Sequence, residues 1–257
     1  MGADREALLD FSSEMGRELM RNGAEIYRVE ESMQLLLHAY GVPFGEVFAI
    51  PNCIIVTLTS PDGHPVTQIR RVPAHGIDLD QLERFNDLCR RLCRDTPPLD
   101  EAMAQLKNVD RDHRVYSLPA QLCGYFLGCG AFALFFGGTP LDGLCGGLCG
   151  VLLGLCLTLM ARLKTNPFFK TVAGAFVSAL AALILVRLGA GFRSDSVIIG
   201  ALMALVPGIA FTNAMRDIMA GDMVAGISKT IEALLIGVAI ALGTALALGL
   251  FHMLGGV

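Results

Sequence analysis

The sequence predicts an α-helical polytopic membrane protein of five transmembrane helices with an N-terminal cytoplasmic α+β domain. Three observations carry this. Charge is divided: residues 1–116 hold 13 Lys/Arg and 19 Asp/Glu, a net of −6, whereas residues 117–257 hold 7 and 5, a net of +2. Of all 257 residues 53% are hydrophobic and 17% charged, against roughly a quarter charged in soluble domains. The second half also contains five apolar runs near the ~20 residues that cross a bilayer. The acidic balance, without a clustered basic face, argues against nucleic acid as a partner.

The expected cytoplasmic α+β domain is residues 1–116. Residues 5–22 read as an amphipathic helix, which Gly23 interrupts. From Ala24 the apolar residues Ile26, Val29, Met33, Leu36, Leu37 and Tyr40 share one helical face. Glu25, Arg28 and Ser32 share the opposite face, and Gly41 is a natural stop. Strands are expected at 46–50, 53–59 and 66–72, with Ser60-Pro61-Asp62-Gly63 as the turn between the last two. Residues 78–94 return to helical spacing through Leu79, Leu82, Phe85, Leu88 and Leu92. Pro97-Pro98 ends that helix, and a short one is expected at about 99–106.

The membrane domain is residues 117–257, with spans at about 118–138, 141–161, 168–188, 197–215 and 231–254. Residues 137–142 form a turn between the first two. Ser194 or Asp195 is a plausible N-cap of the fourth. Small residues recur every four positions: Gly124/Gly128, Gly143/Gly147, Gly146/Gly150/Gly154, Gly174/Ser178/Ala182 and Gly200/Ala204/Gly208. In lipid this spacing lets helices approach closely. The first residues are charged and lack an apolar core segment, so no cleavable signal is expected, and Glu6 breaks the myristoylation pattern. Loops two–three and four–five hold Arg162, Lys164, Lys170, Arg216 and Lys229, against Arg187 and Arg193 on the other side. The positive-inside rule then places the N-terminus in the cytoplasm and the C-terminus outside, in a cell (inner or plasma) membrane.

The eight cysteines include two i,i+4 pairs, Cys89/Cys93 and Cys145/Cys149, and no Cys-x-x-Cys. They read as small apolar residues. The five histidines form no ligand pattern. No metal site, cofactor, catalytic residue or nucleophile elbow is expected, and the chain is not read as an enzyme.

One stretch departs from an ordinary span. Pro207 removes a backbone donor deep in span four and Gly208 weakens the helix, so carbonyls near 203–204 are expected to lose partners. Non-helical backbone at that depth must be buried in protein or line a water-filled cavity. Thr212, Asn213, Arg216 and Asp217 follow, with 212/216 and 213/217 one turn apart, and then Asp222 and Glu232. Broken helices beside polar groups are how many secondary transporters form sites. A proline kink with a solvated polar cap accounts for the same residues equally well. Glu232 serves either as a first-turn carboxylate or as a partner of the Asp217 region.

Two stretches together resemble a known family. Gly23-Ala24-Glu25-Ile26-Tyr27-Arg28-Val29-Glu30, with Gly41 and the Phe48–Asn52 segment, is similar to the opening of the ThrE threonine/serine exporter family. Pro207-Gly208, Thr212-Asn213, Arg216-Asp217, Gly221-Asp222, Gly226 and Glu232 resemble its membrane signature, in order, over roughly 12–250. The resemblance implies a secondary, ion-driven exporter of threonine/serine or of small dicarboxylates such as succinate. It further implies a split, YjjP-like subunit whose partner is a separate YjjB-like membrane protein, a second copy, or both. On this reading Pro207 and Gly208 supply a hinge, Thr212, Asn213 and Arg216 contact substrate, and Asp217 carries the proton. Glu25, Arg28 and Glu30 face a vestibule. A membrane-tethered hydrolase with its site in residues 1–116, and a non-transporting scaffold or sensor, remain open alternatives.

Overall fold

The computed structural model describes residues 2–42, 45–59, 64–73, 76–113, 115–188 and 193–255. The chain divides into two compact units. One is Met1–Arg114 with Ile209–Thr230; the other is Val115–Gly208 with Ile231–Val257.

The first unit contains α1 (Gly2–Arg21), α2 (Ile26–Ala39), β1 (Gly45–Ile50), β2 (Cys53–Thr59), β3 (Pro65–Arg71), α3 (Leu79–Asp95) and α4 (Leu99–Arg111). Gly23, at φ +97°, makes the break between α1 and α2; a Cβ there would sit 2.9 Å from the Gly76 carbonyl oxygen. The periodic apolar residues Ile26, Val29, Met33, Leu36 and Leu37 are all buried. Gly41, at φ +82°, closes α2 by donating its N–H to the His38 carbonyl. The sheet is antiparallel in the order β1-β2-β3, with Ile50 paired to Cys53 across a tight turn. Ile54, Val56 and Leu58 alternate inward along β2, as a half-buried strand requires. They join Phe11 and Met15 of α1, the apolar face of α2, and Phe85, Leu88 and Leu92 of α3 in one core. The Asp78 carboxylate caps α3, accepting the Gln81 N–H at 3.0 Å. Helix α4 runs past 106 to Arg111 because no Gly or Pro follows Leu106 to stop it. The turn expected at residues 60–63 lies outside the described residues.

The second unit contains α5 (Leu118–Phe135), α6 (Pro140–Arg162), α7 (Pro167–Arg187), α8 (Ser194–Leu202) and a 3₁₀ turn (Met203–Leu205). It also holds most of α10 (Met223–Met253), while α9 (Gly208–Ala220) groups almost entirely with the first unit. Among the described residues four helices, α5, α6, α7 and α10, are long and apolar enough to cross a membrane; α8 and α9 make a fifth span only if the broken pair is counted as one. Leucines such as Leu148, Leu152, Leu155 and Leu159 point outward from α6, an arrangement suited to lipid and costly in water. The chain is a mostly helical, multi-pass membrane protein with a small three-stranded sheet.

Two expected spans differ from the structure. The fourth, expected over 197–215 with its helix weakened at Pro207-Gly208, is two helices separated at Val206-Pro207. Val206 is extended, at φ −65° and ψ 124°, the conformation that a following proline imposes. The fifth, expected at 231–254, begins at Met223. At 31 residues α10 is about 46 Å long, well beyond the ~30 Å hydrocarbon core. Its residues up to Thr230 belong to the first unit, and Ala225 is buried in that unit's core.

The small residues sort by what they touch. A Cβ at Gly146 would lie 2.8 Å from that of Ala133, one at Gly150 would lie 2.6 Å from the Tyr125 carbonyl, and one at Gly200 would lie 2.5 Å from the Ala133 nitrogen. Gly124, Gly128 and Gly208 meet nothing within 4 Å. The start of α8 is not capped by Ser194 or Asp195. Arg193 is the N-cap residue, without a side-chain capping bond, and its N–H donates to the buried Asp142 carboxylate at 2.9 Å. Asp142 also closes a capping box with Thr139 at the start of α6.

Candidate functional site

The conspicuous polar arrangement of the first unit lies where α9 meets the first turn of α2. Asp217 is fully buried on α9. One of its oxygens accepts the Ile26 N–H at 2.9 Å, and the other accepts from the Lys229 ammonium at 2.7 Å. The Ile26 N–H is one of the orphan donors of a helix start. Residue 25, at the N-cap of α2, supplies no side-chain cap. A carboxylate 191 residues away in sequence takes that role, at the electropositive end of the helix.

Neighbouring residues extend the network. Arg216 Nη1 donates to the Glu25 carboxylate at 2.7 Å, and Arg28 approaches the other Glu25 oxygen at 3.6 Å. Glu25 is buried, and burial alone would raise its pKa. The hydrogen bond from Arg216, a backbone N–H and the two guanidinium charges outweigh it and lower the value. Asn213 Nδ2 donates to the Gly23 carbonyl at 3.1 Å. Glu30, one turn further along α2, accepts the Ala49 N–H of edge strand β1 at 2.6 Å. Burial pushes the Glu30 carboxyl up; the Ala49 bond opposes this, and the charges of Asp222 and Asp217 add to it. Burial likewise raises Asp222, helped by Asp217 and opposed by Lys229.

Of the sequence-predicted residues, the fold brings together Glu25, Arg28, Glu30, Asn213, Arg216, Asp217 and Asp222. Thr212 is on the exposed side of α9. Pro207, Gly208 and Glu232 belong to the second unit, with Glu232 exposed on α10. The carbonyl of Met203, expected to be free, accepts the Val206 N–H at 3.3 Å. In the second unit Ala204, ahead of the break, lines a groove of about 360 Å³ with Gln121 and Tyr125 of α5.

Lys229 is the residue missing from the sequence-predicted site, although it was read as a loop charge and as one of the charges gathered at 216–232. The available signal was a lone lysine next to Gly226 in an otherwise apolar stretch, 12 residues after the only carboxylate inside α9. Gly226 permits the contact: a Cβ there would lie 2.8 Å from the Ala214 carbonyl. Among the described residues no group of three His, Cys, Asp or Glu side chains is placed to hold a metal ion.

Comparison with known proteins bears on the family of the chain. The family model ThrE, described as "Putative threonine/serine exporter", matches residues 10–251. A "Probable threonine/serine exporter" of Mycobacterium tuberculosis is 24% identical over 94% of this chain and 46% of its own length. "Pheromone-regulated membrane protein 10" of Debaryomyces hansenii is 25% identical over 94% of this chain and 24% of its own. Its namesake in Yarrowia lipolytica is 28% identical over 47% of this chain and 10% of its own. The chain thus spans less than half the length of these relatives. No solved structure matches. The chain belongs to the ThrE threonine/serine exporter family.

Proposed function

We propose that this chain is one component of a secondary, proton-coupled exporter of threonine and serine or of small dicarboxylates such as succinate. The observation that carries the reading is the buried ionic network of α9, in which Asp217 holds both the start of α2 and Lys229 while two further carboxyls, Glu30 and Asp222, lie close by. A buried ion pair is a poor route to stability alone, because desolvation offsets its Coulombic gain. Its retention in a membrane protein fits a charge-bearing function.

In this proposal Asp217 anchors the network, since both its oxygens are engaged. Glu30 and Asp222 exchange the proton. Arg216 and Asn213, now bound to Glu25 and Gly23, turn to the substrate carboxylate and hydroxyl when α9 shifts on the Pro207-Gly208 hinge. Residues 1–116 lie in the cytoplasm beneath the inner or plasma membrane, and the C-terminus lies outside. In this proposal the chain works with a YjjB-like partner, a second copy, or both.

The test is gradient-driven efflux from proteoliposomes holding the chain and its partner. Asp217→Asn is expected to abolish efflux of threonine, serine and succinate. Glu30→Gln is expected to flatten its pH dependence. The sign follows from the raised Glu30 value. The folded chain keeps this proton through a window above 4.5 and loses it as pH rises through the folded-state pKa. Wild-type efflux should therefore change across that window. Unchanged efflux in Asp217→Asn sinks the reading.

A further inference from the structure

The sheet of the first unit turns one face to the core and leaves the other open. Val47 and Ala49 of β1 and Ile54, Val56 and Leu58 of β2 point inward and are buried. The alternate residues point outward. The register sets Phe48 opposite Ile55 and Ile55 opposite Ile69, one residue from each strand. This row crosses the middle of the outer face, where Phe48 is 55% and Ile69 67% exposed. An antiparallel sheet with one wet face ordinarily carries polar side chains there. An apolar row across every strand marks a face that another surface covers.

The charges on the face identify that surface. A row flanks the apolar one on each side, and the two rows end in opposite charges at opposite corners. Glu46 holds the β1 corner of one, in register with Thr57 and Thr67. Arg71 holds the β3 corner of the other, in register with Cys53 and Ile50. Both are exposed, and among the described residues no hydrogen bond or ion pair engages either side chain. Ile55 lies midway between them. Consider a two-fold axis through Ile55, in the plane of the contact and perpendicular to the Glu46–Arg71 diagonal. It exchanges the two corners, so each Glu46 meets the Arg71 of a second copy and both pairs form together. This is the self-complementarity that an isologous contact requires. The apolar rows stack across each other, with the strands of the two sheets crossing steeply, as in orthogonal sheet packing. Like charges at these corners would instead repel a second copy.

We propose that this sheet face is a self-association surface, on which a second copy of the chain packs face to face about a two-fold axis near Ile55. From strand spacing and rise the face covers about 300 Å² of sheet plane. That is small beside stable interfaces, so the contact is weak by itself. The inference gives the meeting face of the second copy that the transport reading admits. Its test measures association and not efflux, so the two readings fail separately.

The experiment is energy transfer between donor-labelled and acceptor-labelled copies of the full chain in detergent, over a series of protein concentrations. Wild-type copies are expected to associate saturably. Glu46→Arg sets arginine against arginine in both pairs, and Arg71→Glu sets glutamate against glutamate. Each alone is expected to weaken association about tenfold or more, because two exposed pairs turn from attraction to repulsion. A mixture of donor-labelled Glu46→Arg and acceptor-labelled Arg71→Glu has opposite charges in both pairs again. It is expected to associate as the wild type does. Phe48→Ser is expected to weaken association in every combination. All three positions are exposed, so melting temperatures should stay at the wild-type value. Absence of wild-type association leaves the face to a different partner and overturns the proposal. Association that survives Phe48→Ser or either charge reversal places the contact elsewhere and also overturns it. So does a mixture that fails to recover, because a second copy related by this axis must restore both pairs.

Discussion

Asp217 shows how one residue can define a site. Its carboxylate takes a backbone N–H from one helix and an ammonium from another, and no water reaches it. Removing one partner of a buried pair leaves an uncompensated charge, which costs about 3–5 kcal/mol. Lys229→Met is therefore expected to lower stability by about that amount, read as a melting-temperature drop in detergent. Lys229→Arg should recover part of it, because the charge returns while the reach to Asp217 changes. A melting temperature unchanged by Lys229→Met would mean that the pair does not form in the folded protein. The residues flanking this site were legible as chemistry-bearing types, and the 25–30 and 207–222 stretches were marked from sequence. Their partners were not, because a hydrogen bond spanning 191 positions leaves no trace in local spacing.

At the scale of elements, glycine spacing predicts close packing, but the fold decides which glycines pack. Gly200 of α8 lies against the α5 backbone, where a Cβ would stand 2.5 Å from the Ala133 nitrogen. Backbone cannot rotate away as a side chain can. Gly200→Val should separate α8 from α5 and lower stability by about 1–3 kcal/mol, the usual range for overpacking. Gly124→Ala on α5 meets nothing within 4 Å. It should be neutral or stabilising by up to about 1 kcal/mol, through helix propensity alone. Thermal unfolding of the two variants side by side checks both; equal losses would show that α5 packs through another face. The sheet shows the same division. Alternation along Cys53–Thr59 placed β2 to the residue, while the register of its neighbours is a tertiary property.

For the whole molecule, the informative feature is that Ile209–Thr230 groups with Met1–Arg114. The folded state of the first unit then depends on two stretches far apart in the sequence. Hydrogen exchange gives a direct check. The Ile26 amide is bound to Asp217 rather than to its own helix, so its protection should fall in Asp217→Ala while amides in the middle of α2 stay protected. Equal protection of Ile26 in both proteins would show that α9 does not hold this position in solution.

The sequence by itself determined the elements and the medium. Apolar period and length fix where helices and strands form and which helices can cross lipid, because burial of side chains and satisfaction of backbone groups are local requirements. It also marked, by the persistence of charge in an apolar half, the stretch around 216–232 where charges gather. The break at Pro207 was legible too, because a proline acts on its own neighbours; tertiary structure alone decided that α10 begins eight residues before its apolar run, and that Asp217 meets Ile26 and Lys229. The reason is physical. A buried charge or an uncapped helix end must find a partner, but any element of suitable geometry can supply it, and only the packed fold selects which one does.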